Sequence, residues 1–542
     1  MKGLLTSLLT VLAVTGLNAQ TSTSMPPRLV IGITIDQFSS DYLQAFSQLY
    51  GEKGFKRLMK EGRFYRQAYY NFANPDEASS VASIYSGSAP DVNGIIADRW
   101  LDRATLVSRN CVDDDKYIGF YTDENTSPSQ LLVTTFPDEL KVASNGKSLV
   151  YSISPNKAAA VLGAGHAGDL ALWLNDATAK WCSSTFYTNL PTFVTDYNTQ
   201  QGLDKTISKM VWTPTLAPEK YKYITTEWEE SAFTHKLDDK RATFKYKKVF
   251  TSPVVNDEVN NMLSVLLDKE PLGQDAIPDV LSLSYYAGNF DHSSANELPM
   301  EMQDTYVRLD KNLADMLEMV DKKVGLKNTL IFITSTGYTD SNEKIPAKYH
   351  IPGGEFHIER CAALLNMYLN ALYGQGLYVE AFDGLQVYLN HKLLEDKKLT
   401  LRDITDRAID FLRQFSGVQD VYSSFSLLTS SSNPDIEGLR KAYNRLHSGD
   451  LQISVLPGWT VINPKNTTDV KNVRKAYMPA PLILIGANVK PAIIDLPVCI
   501  DRLAPTISSS LRIRAPNGCN STPLEDVFKK QSINNVEIKK EK

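Results

Sequence analysis

The chain has 542 residues, of which 43% are hydrophobic and 22% are charged, and its formal net charge at pH 7 is −5. This length suits one large domain with insertions, or two to three ordinary domains. The acidic balance gives no global argument for binding to nucleic acid or to an anionic membrane surface, so neither is a predicted partner.

The first predicted element is a secretory signal peptide at residues 1–19. It has a basic start at Lys2, a short apolar run from Leu4, and a small residue, Ala19, at the predicted cleavage point. The alternative, an N-terminal membrane anchor, is disfavoured because Gly, Thr and Asn interrupt the run well short of a membrane span. No later segment has the length and hydropathy of a transmembrane helix. We therefore predict export to the periplasm or the cell surface.

Downstream, apolar segments typical of strands alternate with helical patterns. The segment from Arg28 to Asp36 is a continuous apolar run that ends in an acid, which is typical of a buried parallel strand. A long helix with one apolar stripe is predicted over residues 298–323. Further strands are predicted at residues 64–72, 148–154, 279–286, 328–336 and 480–486. The alternation predicts an α/β sandwich around a mostly parallel sheet.

Two regions interrupt this alternation. Residues from about 198 to 278 are rich in Lys, Tyr and Thr, and we interpret them as a lid-like insertion. Residues 340–459 have a helix–strand pattern of their own, and we interpret them as an inserted cap domain. The predicted organisation is a signal peptide (1–19), a first core part (26–339), the cap (340–459), a second core part (460–528) and a charged tail (529–542).

The segment NFANPDEASSVASIYSG, residues 71–87, combines a polar turn with a short helix. Pro75 precedes the helix, Gly87 ends it, and Asp76 and Glu77 occupy its first turn. The free N–H groups and the dipole of a helix start attract anions. The two carboxylates therefore occupy a place that suits a bound anion.

The five cysteines are scattered and have no C-x-x-C spacing, which argues against a zinc knot. Cys499 and Cys519 could pair in an oxidising compartment, and the odd count leaves at least one free thiol. The alternative, in which the cysteines are small buried apolar residues, stays open.

Seven segments resemble the alkaline phosphatase superfamily, in its branch of type I phosphodiesterase/nucleotide pyrophosphatase-like proteins and secreted phosphate monoesterases. They span nearly the whole chain after the signal peptide: LVIGITIDQFSSDYL, GFKRLMKEG, ASIYSGSAPDVNGIIADRWLDR, LGAGHAGDLALW, QDTYVRLDKNLADMLEMVDKKVG, SGDLQISVLPGW and PLILIGANVKP. The resemblance implies an alkaline phosphatase-like three-layer sandwich with an inserted cap domain. It also implies two zinc ions bound by Asp and His at the C-terminal edge of the sheet, beside a Thr or Ser nucleophile.

Most active-site positions that the resemblance implies carry a different residue type in this chain. Asp36 is the one metal-ligand position that keeps its residue. The nucleophile position carries Glu77, and the position of a phosphate-binding Asn carries Asp98. A phosphate-gripping Lys-x-Arg pair aligns with Asn156 and Ala158. The other metal-ligand positions carry Asn289, Ser293, Thr336, Gly337 and Pro479, with Asp291 and His292 as candidate replacement ligands.

These changes place negative charge in a pocket that, by the resemblance, binds a phosphate dianion. Two like charges ~4 Å apart cost on the order of a few kcal/mol at intermediate dielectric. Asp36 is either a metal ligand or a strand-end or helix-capping residue. Glu77 is either a catalytic carboxylate or the group that satisfies the free N–H groups of the helix start.

Two functions are compatible with the sequence. The first hypothesis is a degenerate, catalytically inactive protein of this fold, secreted and without a cofactor, that acts in binding or assembly with an unknown protein or small-molecule ligand. The alternative is a phosphoric ester hydrolase with a rebuilt metal site that uses Asp36, Glu77, Asp98 and either Asp291 or His292. Such an oxygen-rich site suits magnesium, calcium or manganese better than zinc.

Overall fold

The structure is a computed structural model of the chain. It describes residues 25–187, 189–222, 232–238, 245–293, 298–339, 353–429, 434–462, 471–472 and 478–528. The predicted signal peptide and the charged tail lie outside the described residues.

The described ranges contain strands and helices in the following order. The strands are β1 (Leu29–Asp36), β2 (Arg63–Tyr69), β3 (Arg99–Asp102), β4 (Val107–Asn110), β5 (Gly119–Phe120), β6 (Val150–Ser154), β7 (Leu170–Leu174), β8 (Trp181–Ser184), β9 (Val211–Trp212), β10 (His235–Lys236), β11 (Asp279–Tyr286), β12 (Thr329–Ser335), β13 (Glu355–His357), β14 (Val379–Asp383), β15 (Gln386–Leu389), β16 (Val418–Ser423), β17 (Leu451–Val455), β18 (Thr460–Ile462), β19 (Lys471–Asn472), β20 (Ala480–Gly486), β21 (Ala492–Ile494) and β22 (Val498–Cys499). The α-helices are α1 (Ser40–Ala45), α2 (Phe55–Glu61), α3 (Glu77–Ser86), α4 (Pro90–Asn93), α5 (Phe136–Ala143), α6 (Lys157–Ala164), α7 (Thr192–Gln200), α8 (Leu203–Thr206), α9 (Lys247–Phe250), α10 (Val254–Lys269), α11 (Pro299–Lys323), α12 (Ile358–Tyr373), α13 (His391–Asp396), α14 (Leu401–Leu412), α15 (Ser424–Thr429), α16 (Pro434–Ala442) and α17 (Leu503–Leu511).

The central sheet has eleven strands in the described ranges. Its order is β21-β2-β20-β12-β1-β11-β6-β7-β8-β5, and β22 pairs with β2. The neighbours from β12 through β1, β11 and β6 to β7 run parallel. Strand β20 runs antiparallel to both β12 and β2. The predicted α/β sandwich with a mostly parallel sheet is confirmed, and the start of β20 lies at the same edge as the ends of β1 and β12.

Apolar cores cover both faces of this sheet. Ile31, Ile33 and Ile35 of β1 belong to one core together with side chains of α10 and α11. Val30 belongs to the core on the other face, with side chains of α3, α6 and α17. Strand β1 is buried on both sides, which explains its unbroken apolar sequence. Each fully buried isoleucine contributes roughly 1.5–3 kcal/mol to the free energy of unfolding.

Gly32 permits a close crossing of side chains in the middle of β1. A Cβ atom at this position would lie 2.4 Å from the Tyr85 hydroxyl and 2.4 Å from the Phe332 ring. The Tyr85 hydroxyl reaches across from α3 and donates a hydrogen bond to Ser282 of β11 at 2.6 Å. This contact fixes α3 over the sheet, and with it the helix start that carries Glu77.

A second sheet lies within the predicted cap. It has the strand order β14-β15-β17-β16. Helices α12 and α14 contribute Leu365, Leu369 and Ile404 to a core shared with this sheet. The limits of the cap and of the other domains stay predictions.

The predicted lid-like insertion, about residues 198–278, includes a helix of the main core. Val255, Val259 and Leu263 of α10 belong to the same apolar core as β1. The composition of the region as a whole, rich in Lys, Tyr and Thr, does not reflect the apolar face that α10 buries in this core.

All five cysteines are free thiols. Cys111, Cys182 and Cys361 are buried, as expected for small apolar residues, whereas Cys499 and Cys519 are half-buried and are not joined. Among the helices of the described ranges, none combines the length and hydropathy that a membrane span requires.

Candidate functional site

Two adjacent strands bring Asp36 and Thr336 into contact. Asp36 is the last residue of β1, and Thr336 directly follows the parallel strand β12. Both residues are buried. The Thr336 hydroxyl donates a hydrogen bond to Asp36 Oδ1 at 2.9 Å and accepts one from the N–H of Gln37 at 2.9 Å. The helix after β1 is capped by Ser39, so capping of that helix is not the role of Asp36.

Asp76, rather than Glu77, caps the start of α3. Asp76 has an extended backbone, and its Oδ1 accepts the N–H of Ser79 at 2.9 Å. The Ser79 hydroxyl in turn accepts the N–H of Asp76 at 3.0 Å. An N-cap needs a non-helical backbone so that its side chain can fold back onto the free N–H groups. Glu77 is already the first helical residue, so its predicted role as the capping group is wrong.

Glu77 is half-buried among other carboxylates. Burial, followed by the negative charges of Asp36, Asp98 and Asp76, raises the pKa of Glu77 well above its usual value. A carboxyl group in such surroundings carries a proton or is accompanied by a cation. The structure thus brings together the predicted metal-ligand, nucleophile and phosphate-binding positions.

Asp98 lies between the start of α3 and strand β3. Its N–H donates to Asp76 Oδ2 at 2.6 Å, and its Oδ1 accepts the side-chain amide of Asn110 at 3.0 Å. Burial and the charge of Asp76 raise the pKa of Asp98 to about 6, although the bond from Asn110 and the charge of Arg99 act in the opposite direction. The Asp98 carboxyl group is therefore protonated more readily than an exposed aspartate.

The segment that aligns with the phosphate-gripping pair is used for structure. Asn156 caps α6, and its Oδ1 accepts the N–H of Ala159 at 3.2 Å. The Lys157 ammonium group lies 3.1 Å from Asp113 and 2.8 Å from Glu124. Burial lowers the pKa of Lys157, but the bonds to Glu124 and Asp113 outweigh this effect and leave the pKa raised. Lys157 is thus engaged with carboxylates of the protein.

The turn after β11 carries the candidate replacement ligands. Asn289 is buried, and its carbonyl accepts the Tyr286 hydroxyl at 2.8 Å. Asp291 and His292 both have left-handed backbones, with φ of 48° and 58°. Asp291 is exposed, and its N–H donates to the Thr251 hydroxyl at 3.2 Å. The backbone directly after β11 is therefore an irregular turn.

The ligand set is not completed by this turn. In the part of the chain that the structure describes, no three His, Cys, Asp or Glu side chains come close enough together to hold a metal ion. Asp291 and His292 therefore do not form a ligand set with Asp36 in this arrangement. Ser293, half-buried at the end of the turn, is not a residue type that commonly binds zinc.

The last two predicted positions lie at the same edge of the sheet. Gly337 has a left-handed backbone with φ of 75°, and a Cβ atom there would lie 2.3 Å from Cδ2 of Tyr70. Pro479 is half-buried and directly precedes β20. Next to it, the sulfur of Met478 accepts the Thr339 hydroxyl at 3.8 Å. Neither Gly337 nor Pro479 offers a side-chain donor atom for a metal.

Sequence reasoning missed the capping role of Asp76 and the presence of Tyr70 at this site. Asp76 carries a recognisable signal, because Asp followed three residues later by Ser79 at a helix start matches a capping pattern. Tyr70 carries no such signal. Its contact with residue 337 arises only when β2 and β12 are placed in one sheet.

Similarity to known proteins establishes the family of this chain. The sequence pattern of the family described as type I phosphodiesterase / nucleotide pyrophosphatase matches residues 30–479. The chain belongs to this family. Alkaline phosphatase PafA from Elizabethkingia meningoseptica is 31% identical over 541 residues, which cover 96% of this chain and 98% of that protein. Alkaline phosphatase PhoV from Synechococcus elongatus is 30% identical over 520 residues, 93% of each chain.

A solved structure of the same family supports the fold over the same range. The crystal structure of wild-type PafA matches with a TM-score of 0.80 at 29% identity and covers 94% of this chain and 100% of that chain. The predicted resemblance to the alkaline phosphatase superfamily is confirmed.

These comparisons overturn the first functional hypothesis. The prediction of a catalytically inactive binding protein is wrong, because two relatives that match nearly the full length are both named as alkaline phosphatases. The family is one of phosphoric ester hydrolases. Altered residue types at family positions were too weak a basis for lost activity, since one fold supports sites built from different residues.

The residues present fit one class of metal and not another. A zinc pair needs several Asp and His ligands, whereas Thr336 is bonded to Asp36 and Gly337 has no side chain. The acids Asp36, Glu77 and Asp98 supply only oxygen donors, which magnesium, calcium and manganese prefer. Magnesium in particular is commonly bound by one or two carboxylates together with substrate phosphate and water.

Proposed function

We propose that the chain hydrolyses phosphoric esters with a hard divalent cation held by Asp36 and Glu77 together with the substrate phosphate and water. The observation that carries the proposal is the match to PafA and PhoV over nearly the whole chain, at about the same identity for both. The proposal is also supported by the negative charges of Asp36 and Asp98, which raise the pKa of Glu77 at the edge of the sheet where α/β proteins commonly bind their ligands. The cation is magnesium, calcium or manganese.

Asp36 and Glu77 would hold the cation, which would offset their charges and attract a phosphoryl oxygen. The hydroxyl groups next to Glu77 are already engaged: Ser79 donates to Asp76 at 2.6 Å, and Ser80 donates to the carbonyl of Thr336 at 2.7 Å. We therefore assign the nucleophile to water. Glu77 accepts a proton from this water while the water oxygen forms a bond to phosphorus. The bond from phosphorus to the leaving oxygen then breaks, and that oxygen takes a proton from solvent.

The test is an assay of the purified chain on a generic phosphate monoester and a generic diester, each with magnesium, calcium, manganese or zinc. We expect turnover with at least one of the first three ions. Glu77→Gln keeps the size of the side chain but cannot accept the proton, so the rate should fall by roughly 10²–10⁴-fold. Glu52→Gln, at an exposed acid that is paired with Lys56, is the matched control and should keep the wild-type rate.

Two results would contradict the proposal. One is a rate at the buffer background with every ion and both esters. The other is turnover that Glu77→Gln leaves unchanged, which would place the chemistry elsewhere on the chain.

We also propose that the chain is exported. The support is the pattern of residues 1–19, with Lys2, an apolar run and Ala19 before the cleavage point. Expression of the full chain in a bacterium should yield a periplasmic or cell-surface protein whose first residue is Gln20. A cytoplasmic product that keeps Met1 would contradict export.

A further inference from the structure

We infer that Tyr70 closes the half of the family's metal site at positions 336 and 337, so that this edge of the sheet does not bind a zinc pair. The inference rests on the proposed function in locating the site, and it concerns the part of that site on the β12 side. Tyr70 stands at none of the active-site positions that the family resemblance implies.

The ring of Tyr70 occupies the space beside Gly337. A Cβ atom on Gly337 would lie 2.3 Å from Cδ2 and 2.4 Å from Cε2 of Tyr70. Such distances are far below the ordinary contact distance of about 3.5–4.0 Å between carbon atoms. The ring of Tyr70 therefore fills the volume into which any ligand side chain at position 337 would have to project.

The ring of Tyr70 is held in place by a hydrogen bond and by an aromatic contact. The Tyr70 hydroxyl donates to the carbonyl of Ser335, the last residue of β12, at 2.6 Å. The ring also packs edge-on against Phe72, with centroids 5.5 Å apart. Burial makes the largest contribution to a strongly raised pKa of Tyr70, so the hydroxyl stays protonated and remains a donor. Tyr70 is thus fixed at both its apolar and its polar end.

At position 336, each polar group of Thr336 has a partner in the protein. The Thr336 hydroxyl donates to Asp36 and accepts from Gln37, and its carbonyl accepts from Ser80 at 2.7 Å. These bonds connect the ends of β1 and β12 to α3. A metal that shared ligands from both strands would make the same connection. Here hydrogen bonds and an aromatic ring make it instead.

The proposed hard cation does not depend on this half of the site. Glu77 interacts electrostatically with Asp36 and Asp98, whereas Tyr70 is bonded to the carbonyl of Ser335 and fills the space beside Gly337. Closure by Tyr70 therefore removes the zinc pair and leaves the acidic cluster to carry the proposed chemistry.

The inference is tested by a double-mutant cycle between Gly337 and Tyr70, read as melting temperature. Gly337→Ala should lower the melting temperature by roughly 4 °C or more, and by a clearly smaller amount in a Tyr70→Ala background. The matched control is Gly384→Ala, because Gly384 has φ of 53° and nothing within 4 Å of its Cβ position. It reports the backbone cost alone. Equal losses from Gly337→Ala in both Tyr70 backgrounds would overturn the inference.

A second measurement uses the wild-type chain and zinc alone. Crystals soaked in zinc chloride and measured at the zinc absorption edge should show no pair of zinc peaks between Asp36 and residues 336–337. A single peak beside Asp36 agrees with the inference, and two peaks that both lie at this edge overturn it. A pair of zinc peaks would overturn the inference about Tyr70 without affecting the result of the ester assay with magnesium, calcium or manganese. An ester assay without turnover would contradict the proposed function without affecting the zinc result.

Discussion

At the scale of single residues, the site is defined by neighbouring carboxylates with different roles. Asp76 is committed to the start of α3 and to the N–H of Asp98. Asp36 is bonded to Thr336. Glu77 is surrounded by these charges, and its pKa is raised by burial and then by Asp36, Asp98 and Asp76. A carboxyl group with a raised pKa therefore lies at the family's nucleophile position, where proton transfer is proposed.

The division of roles between Asp76 and Glu77 can be tested by stability. Asp76→Ala removes the N-cap of α3 and should lower the free energy of unfolding by roughly 1–2 kcal/mol. Glu77→Gln removes a charge that the neighbouring acids repel, so it should leave the free energy of unfolding unchanged or raise it. Chemical denaturation at pH 8 with a chelator measures both. A larger loss from Glu77→Gln than from Asp76→Ala would contradict the assignment of the cap.

The raised pKa of Asp98 predicts a pH dependence of stability. The folded state binds this proton more tightly than the unfolded chain, because the pKa rises from 3.8 to about 6. The free energy of unfolding should therefore fall as the pH rises from about 4 to about 6. Asp98→Asn lacks this loss, and because each pKa unit is worth about 1.4 kcal/mol, it should gain roughly 1–3 kcal/mol over the wild type between pH 4 and 7.

Denaturation series at several pH values, with a chelator present, measure this difference. The exposed residue Asp123 supplies the control, because Asp123→Asn should follow the wild-type curve. A constant offset between Asp98→Asn and wild type from pH 4 to pH 7 would show that Asp98 has an ordinary pKa.

At the scale of elements, the hairpin of β3 and β4 connects the site to the cap. Asp98 directly precedes β3. Arg103, in the turn of the hairpin, donates to the buried Asp450 carboxylate at 3.2 Å and to the carbonyl of Ser448 at 3.1 Å. On the same hairpin, Trp100 stacks on the ring of His447 with centroids 4.4 Å apart. The strand that follows Asp98 is therefore anchored by residues that come late in the sequence.

Arg103 should make this connection measurable. Arg103→Ala leaves the buried Asp450 with fewer partners, and we expect a loss of roughly 1–3 kcal/mol in the free energy of unfolding. Arg109→Ala on the same hairpin is the matched control, because its partner Asp115 is exposed and such pairs contribute at most about 1 kcal/mol. Urea denaturation of the two variants compares them. Equal losses would show that Arg103 is not an anchor.

At the scale of the whole molecule, the sequence was informative where a pattern is local. The strand predicted at 279–286 is observed at Asp279–Tyr286, and the helix predicted at 298–323 is observed at Pro299–Lys323, because each has a long regular pattern. The edge that collects Asp36, Glu77 and Thr336 follows from parallel strands ending together. The contact of Tyr70 with Gly337 could not be predicted, since it depends on how β2 and β12 are placed in the sheet.

The functional prediction failed for a physical reason of the same kind. Counting lost ligands treats each position separately, whereas catalysis depends on the charge that a group of residues presents to the substrate. Asp36, Glu77 and Asp98 form such a group although two of them have changed type. Near-complete coverage by relatives named as alkaline phosphatases outweighs the position-by-position count.

The most direct test of the central proposal is a metal titration of ester hydrolysis by the wild-type chain and by Asp36→Asn. The hydrolysis rate of a generic phosphate monoester is measured while manganese or magnesium is added to chelator-treated protein. We predict a rate that rises with the ion and saturates in the wild type. Asp36→Asn keeps the hydrogen bond to Thr336 but loses the charge. Its rate should be lower than that of the wild type by a factor of roughly 100 or more. Identical titrations for the two proteins, or no rate above buffer in either, would contradict hydrolysis at this site.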